Sequence, residues 1–431
     1  AGLFSAILAL QHKQAPPNAQ LKKLNQQVEL SITGGLEFPT SVVPLNRRSN
    51  QLLVAGLSSF GYSGTIAHVL IQEPDGSKCK RRCQQVPSDT EDSNHDVTVD
   101  EEKEEKEEKE CSTVVSGVLG MVWQFSGQGT LTVDACKDIY DRVPEFRDAL
   151  SLCDVILQEE LGQSITAVLY PPSTVLSASS ANLGLNESLF AQPIQVSLQY
   201  ALSQVWMSRE TTPSVVFGHS LGEYAAAVVA GVMSIEDCLR LVCARARIMQ
   251  GHVAGLGTMV AVRLTAEEAE ESIRKLKLET LVAVAAVNGA KSIVLSGEDR
   301  AVAQVLDAVG CTSGSRKLNV KHAFHSPLMR GMLEEFRLVL ETVRLRPPQI
   351  RIISTVGGTN APVNSIQYWL DHIVQPVHFM QAAKEAMQSA DSTLFVEIGA
   401  DATLTRLGKA IAFEFDRNLK ERQFLTAAEL L

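Results

Sequence analysis

The sequence predicts an α/β fold in two nested parts, and three features predict it. A β-branched apolar run, Val215 to Phe217, turns through Gly218-His219-Ser220-Leu221-Gly222 into a run of small helix-forming residues. Residues 257–321 spell strand, helix, strand, strand, helix, strand. Helical and apolar strand segments alternate on both sides of that stretch. Together they predict an α/β-hydrolase-like large subdomain with a ferredoxin-like small subdomain inserted.

The elements follow in chain order. Residues 1–74 form a first block, with a helical period in "AGLFSAILALQHK" and two apolar β-type runs around the Gly/Ser-rich turn of "QLLVAGLSSFGYSGTIAHVLIQEP". Residues 75–112 change character and end in "EEKEEKEEKE", which has no apolar face to bury and predicts a disordered acidic linker. Globular composition resumes over 113–431. "VVSGVLGMVWQFSG" predicts a buried strand running into a Gly turn, and "AQPIQVSLQYALSQVW" an amphipathic helix. "SIEDCLRLVCARARIMQ" predicts a helix capped by Ser234, with Glu236 and Asp237 in the first turn, where the helix dipole favours anions. "TLFVEIG" predicts the last strand.

Charge and cysteines exclude several classes. Residues 89–110 carry twelve acids and three lysines, and so −9 of the formal net charge of −10. The rest is near neutral with no basic face, which argues against nucleic acid. No apolar stretch reaches about 18 residues, so no membrane span is expected. The eight cysteines are scattered; Cys79 and Cys83 lack zinc-ligand spacing, and no metal site is expected. The chain opens on Ala, as a piece of a longer protein would; cytoplasmic and plastid settings both stay open.

Gly218-x-Ser220-x-Gly222 has the pattern of a nucleophile elbow. A tight turn leaving a strand crowds the positions two residues before and after its apex, so both favour glycine. The serine hydroxyl then stands at a helix N-terminus, where free N–H groups favour developing negative charge, and the Leu221 amide is the natural oxyanion donor. Such a hydroxyl needs a base. His252, His322, His325, His372 and His378 are downstream candidates, two of them in "VKHAFHSPLM" directly after the predicted insertion.

"FSGQG", "AQP", "GHSLGEYAAAVVAGVMSIEDCLRLVCARARIMQ", "VNGAKSIVLSG", "HAFHS" and "FVEIGADATL" resemble, in order and spacing, malonyl-CoA:acyl carrier protein transacylases. The resemblance runs over about 121–410 and is closest to the acyltransferase domains of type I polyketide and fatty acid synthases. It implies Ser220 as acylated nucleophile, His325 as general base, and Gln128 with the Leu221 amide as oxyanion hole. Arg245 would hold the substrate carboxylate, with His219, Gln192 and Asn288 lining the pocket. A backbone carbonyl in "YWLDHIVQPVHF", placed near His372, would orient the base. "HAFH" is similar to the signature of malonyl selection, with Phe324 filling the space of a C2-methyl and His322 beside it in the substrate pocket; one methyl decides only about 1–3 kcal/mol. The implied substrate is malonyl-CoA and the acceptor a phosphopantetheine thiol on an acyl carrier protein, with no bound cofactor. Physical chemistry supports the arginine, since a guanidinium grips a carboxylate through two charge-assisted hydrogen bonds.

Residues 1–74 resemble the C-terminal end of a ketosynthase, through "AILALQH", "PPN" and "SSFGYSGTIAHVLIQEP". This implies a neighbouring ketosynthase and other synthase domains as partners. Ile66 stands where that family has Asn, Ser5 where it has Lys, and its cysteine segment is missing, so His68 implies no condensing activity. After GQG, Thr130-Leu131 replaces the family's Ser-Gln, and no carrier-protein Asp-Ser-Leu motif is seen. Two other readings stay open. One is a serine esterase or thioesterase with Asp299 or Asp307 behind the base. The other is a non-catalytic docking segment of a megasynthase.

Overall fold

The computed structural model describes residues 9, 12–15, 41–45, 53–60, 66–72 and 120–427, apart from 130, 172–184, 186, 254–256, 312, 321, 390–391 and 416–422. The expected acidic linker, Ser5, and nearly all of the helix expected over 1–13 lie outside the described residues. The chain divides into two units, residues 1–100 and 101–431. In the first, β1 (Gln14–Ala15) pairs with β2 (Val43–Pro44), and β3 (Val54–Phe60) forms an antiparallel ladder with β4 (Ile66–Gln72). The two expected apolar runs are thus paired strands.

In the second unit, β5 (Gly120–Phe125) leads through α1 (Pro144–Leu161) and α2 (Ser188–Ser208) to β6 (Val215–Gly218), α3 (Gly222–Val229) and α4 (Ile235–Val253). The small subdomain follows as β7 (Thr258–Val262), α5 (Ala266–Leu276), β8 (Val282–Gly289), β9 (Ser292–Gly297), α6 (Asp299–Ala308) and β10 (Arg316–Lys317). The chain returns through β11 (Arg351–Ile352), α7 (Ile366–Val374), α8 (Phe379–Gln388), β12 (Ser392–Ile398), α9 (Thr403–Phe415) and β13 (Gln423–Thr426).

The large sheet has the order β11-β6-β5-β12-β13, and every pair is parallel. A parallel sheet is covered on both faces, which is why its strands read as continuous apolar runs. Val122, Trp123, Phe125, Val216, Phe217, Phe395, Val396 and Ile398 are fully buried. The register aligns Phe125 with Gly218 and with Ile398, so β5, β6 and β12 end together at the carboxyl edge. Open α/β sheets bind ligands outside that edge.

The small sheet has the order β10-β7-β9-β8, all antiparallel, with α5 and α6 packed on it. This is the ferredoxin-like arrangement. Thr265 and Glu268 form a reciprocal capping box at the start of α5. A separate aliphatic core holds this part together, including Val260, Ile273, Val282, Ile293, Leu295 and Val305.

One helix differs from expectation. The amphipathic helix expected from "AQPIQVSLQYALSQVW" forms within α2, yet it is buried nearly all round, with Gln192, Gln195 and Gln199 inward. Their amides are used there. Gln195 Nε2 donates to Ser126 Oγ (3.1 Å) and Gln199 Nε2 to Ser126 O (2.7 Å), fixing the chain just beyond β5. Ser234 caps α4 as expected, accepting from the Asp237 amide at 3.0 Å.

Candidate active site

Ser220 occupies the apex of the β6–α3 corner at φ 50°, a left-handed conformation that costs a non-glycine residue about 1–3 kcal/mol. The two glycines explain how the turn closes. A Cβ at Gly218 would collide with the Glu223 amide nitrogen, and one at Gly222 with the Phe125 carbonyl at the end of β5. The corner is sealed by bonds from Gly222 N to His219 O (3.0 Å) and from Glu223 N to Ser220 O (2.9 Å). Leu221 is buried, and its N–H has no acceptor among the described residues.

His325 lies beyond the small subdomain, 3% exposed and itself at φ 55°. Its Nε2 is 2.6 Å from Ser220 Oγ. Its Nδ1 is 2.9 Å from the Gln375 carbonyl, which fixes the proton on Nδ1 and leaves Nε2 as the acceptor. Burial, then the Arg245 charge, lower its pKa to about 3, against the opposing pull of the Gln375 carbonyl; His219 adds a smaller lowering. At neutral pH the ring is therefore an uncharged base.

The expected placement of the base-orienting group at His372 is corrected. The carbonyl belongs to Gln375, three residues on and in the same "YWLDHIVQPVHF" segment. Gln375 caps α7 in an extended conformation before Pro376 (φ −76°, ψ 154°), so its carbonyl turns out of the helix. The His372 side chain, fully buried, instead places Nε2 3.7 Å from Glu223 Oε2, with its ring edge-on to that of His325. A residue before proline at a helix end was the signal in the sequence that marked a free carbonyl.

Arg245 is 2% exposed on α4. Arg247, two residues on, faces outward and pairs with Glu160 at 3.6 Å, whereas Arg245 points inward. Arg245 Nη1 donates to Gln192 Oε1 (2.6 Å), and its guanidinium carbon stands 5.6 Å from the Tyr224 ring centre. Its Nε has no partner, and among the described residues no carboxylate pairs with it. Gln192 Nε2 passes the chain to Gln128 Oε1 (3.2 Å), and Gln128 Nε2 to Ser188 Oγ (3.5 Å). Gly127 lets this loop approach the elbow, since a Cβ there would press on the His219 carbonyl.

His219 Nε2 lies 2.9 Å from Asn288 Oδ1 on β8; burial lowers its pKa, so it too is neutral. His322 and Phe324 are buried just before the base, with ring centres 5.5 Å apart. The structure thus joins Ser220 to His325, Arg245 to Gln192 and Gln128, and His219 to Asn288. Neither aspartate weighed for a hydrolase stands behind the base: Asp299 pairs with Lys317 at 3.2 Å and Asp307 is exposed. No cluster of metal-ligating side chains occurs among the described residues, and no helix there is long and apolar enough to cross a membrane.

Fold and site together define a class, an acyl-transferring enzyme domain. Residues 122–418 match the family described as the acyl transferase domain. Polyketide synthase GfsB of Streptomyces halstedii is 36% identical over 68% of this chain, and polyketide synthase GfsA of the same organism 30% identical over 95% of it. The chain spans 5% and 6% of the length of those relatives. Among solved structures, the acyltransferase domain from the second module of the salinomycin polyketide synthase superposes with TM-score 0.63 at 32% identity, covering 72% of this chain and 69% of that one. The chain belongs to the acyl transferase domain family.

Proposed function

We propose that this domain moves a malonyl group from malonyl-CoA to the phosphopantetheine thiol of an acyl carrier protein, loading extender units for a polyketide or fatty acid synthase. One observation carries the choice of acyl group: a buried arginine with an unpartnered Nε and no carboxylate near it among the described residues. A buried charge is costly unless paired, so the site is built to receive an anion. The free carboxylate of a malonyl group has the charge and the planar geometry to fill it.

The reaction is ping-pong. Ser220 Oγ attacks the thioester carbonyl while His325 Nε2 takes its proton. The Gln375 carbonyl steadies the imidazolium through Nδ1–H. The oxyanion rests on the Leu221 amide and the Gln128 side of the pocket. His325 returns the proton to the CoA thiolate as it leaves. The carrier thiol then attacks malonyl-Ser220 with His325 again as base, and Ser220 is regenerated. Arg245 holds the carboxylate through both halves, oriented by Gln192. Phe324 and His322 narrow the space at C2, which favours malonyl over methylmalonyl. No resident cofactor takes part; a ketosynthase and other synthase domains would use the product.

Intact-mass spectrometry after mixing with malonyl-, methylmalonyl- and acetyl-CoA tests this. The expected product is one malonyl adduct on Ser220 that disappears when a holo carrier protein is added. An adduct formed equally well from acetyl-CoA would overturn the arginine argument, and CoA release with no adduct and no acceptor would restore the hydrolase reading.

A further inference from the structure

Glu223 is a costly residue that the acyl-transfer mechanism does not use. It lies in the first turn of α3, three residues after the nucleophile, and is fully buried. Its Oε2 accepts from Thr355 Oγ1 (2.7 Å) and from the Thr355 amide (3.2 Å). Its Oε1 accepts from the Tyr368 hydroxyl, which also meets Ser354 Oγ at 2.7 Å. Among the described residues no lysine or arginine pairs with it. An apolar side chain would fill this space without desolvating a carboxyl, so the site specifies these hydrogen bonds rather than bulk.

The position of those partners gives the bonds a purpose. Tyr368 and His372 lie one turn apart on α7, and both face Glu223. The same helix ends at Gln375, whose carbonyl holds His325. A closed ring of contacts results. It runs from Ser220 along the elbow to Glu223, across to Tyr368, down α7 to Gln375, over to His325, and back to Ser220 Oγ. We propose that Glu223 is a positioning residue: by gripping Tyr368 and Thr355 it fixes the spacing between the helix behind the nucleophile and the helix that aims the base. This rests on the reading of Ser220 as nucleophile and His325 as base.

The test uses phenylmethylsulfonyl fluoride, a serine-directed probe with no carboxylate, on the whole chain. Serine oxygen displaces fluoride at sulfur while the base takes the proton, so its rate reads the Ser220–His325 geometry alone. Glu223→Gln and Tyr368→Phe are expected to slow sulfonylation of Ser220 by about 10- to 100-fold, because small misplacements of reacting groups cost that much. The double variant is expected to be no slower than the slower single, as members of one ring are not additive. With malonyl-CoA, kcat is expected to fall while KM stays, since the Arg245–Gln192–Gln128 chain is separate. Sulfonylation within about twofold of the parent in folded variants overturns the proposal. Should Glu223→Gln fail to fold, Tyr368→Phe decides, since it removes one hydroxyl and keeps the ring. If the unmutated chain is not labelled at Ser220, the underlying site reading fails; if it is labelled and the variants match it, only the positioning role fails.

Discussion

The two sheets of the acyltransferase unit make unequal contributions to the site. The five parallel strands all end on one edge, so the loops after β5 and β6 meet there, with Gly127 set against the His219 carbonyl beside Ser220. Antiparallel strands end alternately at opposite edges, so the small sheet can offer the site little more than one border strand. That strand is β8, which supplies Asn288 and is stitched to the chain just after Gln375 by bonds from Val287 N to Val377 O and from Val377 N to Ala285 O, both 2.9 Å. The buried core of the small part is Val, Leu, Ile and Ala, while the large core carries Trp123, Trp369, Tyr224 and several phenylalanines. The large sheet therefore carries the nucleophile, the base comes from the segment between the two sheets, and the small sheet braces the site through β8.

Removing the reacting groups should expose this inequality most strongly. Ser220→Ala should abolish the malonyl adduct, and His325→Ala should slow its formation at least about a thousandfold. The double variant should be no worse than Ser220→Ala. Stopped-flow CoA release and intact mass measure both. An adduct that survived in Ser220→Ala would move the chemistry away from the parallel edge.

Arg245→Ala comes next. It removes two charge-assisted bonds to the substrate and leaves Gln192 buried without its donor, a loss of about 2–4 kcal/mol. That corresponds to roughly 30- to 1,000-fold in kcat/KM for malonyl-CoA. The same change should leave acetyl-CoA turnover nearly unaltered, so the ratio of the two substrates is the decisive quantity. Equal losses with both would make Arg245 a packing residue.

The pH profile gives a smaller, directional effect. A base works only when unprotonated, so a lowered pKa moves the acid limb to lower pH. With His325 near 3, the sulfonylation rate should show no fall around 6.5, the ordinary histidine value, as pH drops from 8 toward 4.5. The Arg245 charge is the second cause of that lowering. Arg245→Gln should therefore raise the pKa and shift the limb upward. A limb already at 6.5 in the parent chain would mean that His325 is more hydrated than its burial implies.

Most of the large-sheet chemistry was legible in the sequence because it depends on local backbone constraints. Glycines flanking Ser220 announce the elbow, and the strand–helix order around 257–321 announces the insert. What sequence could not show were partners distant along the chain. Gln375 acts through its carbonyl, so its side chain carries no signal, and only Pro376 after it marks that carbonyl as free without saying which distant ring it meets. Nothing around Glu223 in the sequence marks it as buried against Thr355 and Tyr368, 132 and 145 residues away. The inward glutamines of α2 mimic the polar face of an amphipathic helix because periodicity cannot distinguish solvent from a buried polar partner.

Asn288→Ala should have the smallest effect. It removes a single bond between neutral groups, Asn288 Oδ1 to the His219 ring, at the rim of the elbow. Such a bond is worth about 0.5–1.5 kcal/mol, or roughly 2- to 12-fold. The loss should appear in the malonyl half-reaction and in carrier reloading alike, since His219 flanks Ser220 in both. The small subdomain should stay folded, because Asn288 lies outside its aliphatic core. A loss as large as that of Arg245→Ala would make the small sheet an equal contributor to the chemistry, and the division between reacting and bracing sheets would fail.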